Sequence, residues 1–105
     1  VLVAHHAQFD IGFINKKLRK YCGYKLNAPV IDTFCLSQLL FPSRRNHSLD
    51  SLASSYGIPL TGRHTALGDS IITAQLFLAM VENLASRDIR TTSELMSNFQ
   101  IKHLI

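Results

Sequence analysis

Two segments of this chain combine residue types that can do chemistry together. The first, Val3-Ala4-His5-His6-Ala7-Gln8-Phe9-Asp10-Ile11-Gly12-Phe13, runs from an apolar start through a histidine pair to an aspartate. The second, His64-Thr65-Ala66-Leu67-Gly68-Asp69, sets a histidine shortly before an aspartate. In both, helical periodicity around the aspartate places the carboxylate in a first turn, where the helix dipole favours negative charge. Taken alone, an Asp at a helix start is a cap and a His before a helix is a surface or core residue. Two carboxylates held close together repel unless a cation lies between them. A hard divalent ion such as magnesium or manganese fills that role, with oxygen ligands and positions left for water and substrate.

The elements that must position these groups follow from the periodicity. Residues 1–4 read as a short buried strand and residues 5–8 as a loop. Residues 9–21 turn helical, with Phe9, Phe13, Ile14 and Leu18 as the apolar stripe and Gly23 as the stop. After the Asn27-Ala28-Pro29 turn come a strand over 30–33 and a helix over 34–41, capped by Asp32 and closed by Pro42. A basic loop, 43–46, leads to a small helix over 47–56, which Ser48 caps and Gly57 ends. A loop over 61–65 then precedes a helix over 66–85, apolar on most sides and so expected inside the fold. Thr92 or Ser93 caps a last helix to about residue 103. Two short strands make a poor sheet on their own. An α/β fold with this many helices calls for more strands, which suggests a chain cut from something longer.

The two segments together resemble the DEDDh 3′→5′ exonuclease family, the branch similar to the DNA polymerase III epsilon subunit within the ribonuclease H-like fold. That family's second motif looks like Ala4-His5-His6-Ala7-Gln8-Phe9-Asp10 followed by Phe13, and its third looks like His64-Thr65-Ala66-Leu67-Gly68-Asp69. Between them Ile31-Asp32-Thr33 and the Leu49-Asp50-Ser51-Leu52-Ala53 stretch are also family-like. The resemblance implies the C-terminal portion of a ribonuclease H-like α/β fold. It further implies phosphodiester hydrolysis from the 3′ end of single-stranded DNA or RNA with two divalent ions, Mg or Mn, releasing nucleoside 5′-monophosphates. Asp10 and Asp69 would be metal ligands and His64 the general base. His6, Phe13 and Arg63 are candidate substrate contacts. Phe13 has core packing, and Arg63 simple solvation, as the bland alternatives. The family carries Asn where this chain has His6. Its first motif, an Asp-x-Glu that supplies two further carboxylates, occurs nowhere in this sequence. Residues 1–105 are thus expected to be a partial exonuclease domain with little activity alone. The competing reading is a non-catalytic nucleic-acid-binding or protein-docking module of the same fold.

Composition agrees with one globular domain: 105 residues, 47% hydrophobic, with a formal charge of +4. The basic balance suits a polyanionic partner, and Lys16, Lys17, Arg19, Lys20 and Lys25 cluster in one segment. The plain reading of that cluster is the solvated face of an amphipathic helix. Cys22 and Cys35 lack the spacing of a disulfide framework or zinc site and read as reduced core thiols of a cytoplasmic protein. No apolar run reaches membrane-spanning length, and no signal peptide is evident. The expected partners are a nucleic-acid 3′ end, a DNA polymerase or other replication or repair protein, and a second copy through an open sheet edge.

Overall fold

The computed structural model describes residues 2–23 and 29–99. The chain runs β1 (Leu2–Ala4), α1 (Ala7–Tyr21), β2 (Val30–Asp32), α2 (Thr33–Leu40), α3 (Leu49–Ser55), α4 (Ala66–Ala85) and α5 (Thr92–Phe99). β1 and β2 pair in parallel, with Leu2 opposite Val30 and Ala4 opposite Asp32. A parallel pair needs a long crossover, and α1 is its helix. The architecture is mixed α/β, helix-rich around a small parallel sheet, consistent with the expected partial ribonuclease H-like fold.

Alternation along β2 sets the two sides of the sheet. Val30 packs with Ala7 and Ile11 of α1. Ile31 enters the larger cluster with Leu36 and Leu40 of α2, Leu52 of α3, and Ile72, Leu76 and Met80 of α4. Burying each of these large side chains stabilises the fold by roughly 1.5–3 kcal/mol. Local chemistry marks the element ends. Ser48 Oγ accepts from Ser51 N at the start of α3, and Thr65 Oγ1 accepts from Gly68 N at the start of α4.

Several expectations are corrected. β1 is not buried: Leu2 and Val3 are exposed, because β2 is its one strand neighbour among the described residues. α1 begins at Ala7, so the loop shrinks to His5-His6; the distant Asp32 carboxylate accepts the first helical N–H groups, which sequence proximity does not reveal. The inward face of α1 is Ala7, Ile11 and Asn15, while Phe13 and Ile14 face solvent. The small sheet offers α1 a narrow surface that accepts small residues, not the Phe13 stripe. α4 keeps its expected bounds but not full burial. Leu67, Ile71, Leu78 and Val81 remain exposed, since β1, α2 and α3 cover one side of it. The α5 cap is Thr91, whose Oγ1 accepts from Glu94 N. Both cysteines are free, but exposed rather than in the core. Lys25, His103 and the 27–28 part of the turn lie outside the described residues, as does the side chain of Phe9.

Candidate active site

The site is built where the β1–α1 corner meets the start of α4. Asp32, ending β2, organises the corner. Its Oδ1 accepts from His6 N and Phe34 N, each at 2.9 Å, and its Oδ2 accepts from Ala7 N at 3.0 Å. One carboxylate therefore caps α1 and α2 together. His6 takes a left-handed conformation, φ 57°, and its ring stacks on Phe34 with centroids 3.9 Å apart. The His5 ring packs edge-on against the same Phe34. Thr33 Oγ1 donates to Ala4 O, which leaves His5 Nδ1 as the donor in its 2.9 Å hydrogen bond to Thr33 Oγ1. Burial, then the neighbouring His6, holds the His5 pKa below its ordinary value.

Thr65 and two glycines shape the α4 entrance. Thr65 N and Oγ1 both donate to Gly62 O, and a Cβ at Gly68 would overlap the Gly62 carbonyl. The 60–65 loop is thereby pressed onto the first turn of α4, and His64 is held at φ 76°. His64 N donates to Asp69 Oδ1 at 2.9 Å. Arg63 Nη1 donates to both oxygens of Asp69, each at 2.9 Å, while its Nε pairs with Asp50 of α3. The His64 N–H, followed by the Arg63 guanidinium, lowers the Asp69 pKa, and the two carboxylates raise that of Arg63, Asp50 first.

The two aspartates share one space. Asp10 from α1 and Asp69 from α4 line one cavity of about 630 Å³, together with His5, His6, Arg63 and Thr73. Asp10 is exposed, with no ion-pair partner among the described residues. Of the other sequence candidates, His64 sits on the loop directly before α4 but does not line the cavity, and neither does Phe13. Phe13 is 64% exposed on α1, so core packing is excluded for it. Arg63 is not simply solvated: it bridges α3 to α4 through its two carboxylates.

Asp50 and the second role of Asp32 were missed in the sequence. Asp50 stands just after the Ser48 cap, an ordinary first-turn acid, and nothing local signals its partner Arg63. Asp10 and Asp69 are oxygen donors of the kind a hard divalent ion takes. Among the described residues no group of three His, Cys, Asp or Glu could hold a metal, so these two alone make an incomplete ligand set.

Residues 1–77 match the family model for the RNase T exonucleases, and the chain belongs to that family. It is 40% identical over 99 residues to the DNA polymerase III PolC-type protein of Bacillus subtilis, a match covering 93% of this chain and 7% of that protein. It is also 40% identical over 105 residues to a DNA polymerase III subunit epsilon-like protein of Rhodobacter capsulatus, covering 98% of this chain and 15% of the relative. The chain thus spans a small part of the relatives it matches. No helix among the described residues is long and apolar enough to cross a membrane.

Proposed function

We propose that this chain carries one half of the active site of a metal-dependent 3′→5′ exonuclease acting on single-stranded nucleic acid ends in DNA replication or repair. One observation carries the reading: Asp10 and Asp69, far apart in sequence, open onto the same cavity. These two would hold divalent ions, Mg or Mn, which when bound supply charge neutralisation at the scissile phosphate and a more acidic water. The remaining carboxylates are those of the family's Asp-x-Glu motif, which this sequence does not contain. His64 lies outside the cavity lining, on the loop before α4; a swing of that loop would bring it to the attacking water as proton acceptor. His6, at the cavity wall, contacts the terminal nucleotide, and Arg63, once released from Asp69, faces its phosphate. The products are nucleoside 5′-monophosphates, and the kinship with polymerase III proteins supports a polymerase as partner.

A second reading, a non-catalytic nucleic-acid-binding module, draws on the Arg63 guanidinium already neutralising Asp69. The two separate in a digestion assay on the whole protein, with 3′-ended single-stranded DNA and RNA and Mg or Mn present. The exonuclease reading expects chelator-sensitive release of 5′-monophosphates. It also expects His64→Ala and Asp10→Asn each to cut kcat by about 100-fold or more. Undiminished cleavage in both variants, or none in the wild type, would sink it.

A further inference from the structure

Asp10 apart, the outward face of α1 is exposed among the described residues and does not line the cavity. Its inward residues are Ala7, Ile11 and Asn15. At about 100° per residue, Phe13 and Lys20 lie about half a turn from these and Lys17 about a third, with Tyr21 at their flank. Phe13 is 64% exposed and Tyr21 69%. Each ring carries an ammonium: Lys17 Nζ lies 5.5 Å from the Phe13 centroid and Lys20 Nζ 5.3 Å from that of Tyr21. Lys16 and Arg19 are also exposed, and no ion pair among the described residues engages any of these cations. The stripe has a defined beginning. Asp10, Phe13, Lys17 and Tyr21 follow a helical spacing along one side, so the row starts at the carboxylate that lines the cavity.

We infer that this face is a track for the single-stranded nucleic acid upstream of the 3′ terminus, which leaves the cavity at Asp10 and runs along α1 over Phe13, Lys17, Lys20 and Tyr21. The inference deepens the exonuclease reading and rests on it for the strand's polarity. Its own support is chemical. Positive charge follows a phosphate backbone, and solvent-facing rings offer stacking platforms to unpaired bases without reading sequence. A duplex, whose bases are already stacked, would leave the rings unused. From Asp10 to Tyr21 the helix rises about 16 Å at 1.5 Å per residue. That length takes no more than about five phosphates at the spacing of a stacked strand.

The test is fluorescence anisotropy on the whole protein in chelator, with 5′-labelled oligothymidylate and oligouridylate of graded length. Wild-type affinity is expected to rise with length and then level off within one short strand. Lys17→Ala with Lys20→Ala should weaken binding of the longest strand and make the log–log salt dependence shallower by about 1.4, two contacts at about 0.7 each. Phe13→Ala and Tyr21→Ala should each weaken it by about fivefold or more. Thermal melts verify folding of these surface variants. Equal binding by wild type and all variants overturns the track. So does a lysine effect without a ring effect, which describes a generic polyanion site such as one for an acidic protein. A parallel assay of dinucleotide hydrolysis with Mn keeps the two readings apart. No cleavage, with the length and variant effects intact, removes the exonuclease reading and leaves the track. Cleavage without those effects does the reverse.

Discussion

Asp32 accepts three backbone hydrogen bonds from two helix starts, and its removal is the sharpest single-residue test of how the corner is held. In Asp32→Ala the His6, Ala7 and Phe34 N–H groups lose their acceptor, and the left-handed turn at His6 loses its anchor. The expected loss is about 2–3 kcal/mol, a fall of roughly 10 °C or more in Tm for a domain of this size. A melt within about 2 °C of wild type would show that water replaces the carboxylate at little cost. Half of this role was legible in the sequence, where an Asp at a strand end before a helical pattern reads as a cap for α2. The other half joins residues 25 and 26 positions apart, and no local pattern encodes a contact of that span. Arg63 shows the same limit. Its proximity to His64 and Asp69 was plain, but its pairing with Asp50 depends on how α3 packs on α4.

At the scale of elements, the loop before α4 is held by backbone shape more than by side chains. Gly62 and Gly68 touch backbone to backbone, so a methyl group at Gly68 must push the loop away from the helix. Gly68→Ala is expected to cost about 1–3 kcal/mol as an overpacking change and to displace Arg63 and His64 with the loop. Gly57→Ala is the control: it has open space but φ +72°, so its cost is conformational alone, about 1 kcal/mol. Chemical denaturation gives both values, and amide NMR shifts spreading to Asp69 only in Gly68→Ala would confirm the loop's displacement. Equal and small effects would mean that the loop yields freely. Helix bounds were well read in α4, while α3 starts at Leu49, behind its Ser48 cap, rather than at residue 47. Faces were misread where the partner surface decides them. The Phe13 and Ile14 stripe on α1 and the Leu67, Ile71 and Leu78 row on α4 have helical period yet stay exposed, because the described sheet has only two strands to cover them.

Across the whole molecule the cavity is the place where two packing units meet, the β1–α1 corner on one side and α3–α4 on the other, and its wall includes a histidine partly buried in the neutral form. This makes stability depend on pH in two separate windows. The His5 pKa is lowered below 6.5 by burial, so between its folded value and 6.5 the unfolded chain binds the proton and the folded chain does not. Stability is therefore constant above 6.5 with respect to this group and declines as pH falls from there toward the folded value. Asp69 acts lower. Its pKa is depressed below 3.8, so its contribution is complete above 3.8 and is lost as pH falls through the folded value. Unfolding followed from about pH 8 to about pH 5 should show wild-type stability dropping across the histidine window. His5→Gln, which cannot take up the proton, should flatten that decline while Asp69→Asn leaves it in place. A variant lacking the His5 imidazole that still lost stability with the wild-type slope would assign the decline to another histidine and remove His5 as the group whose burial ties the cavity wall to the fold.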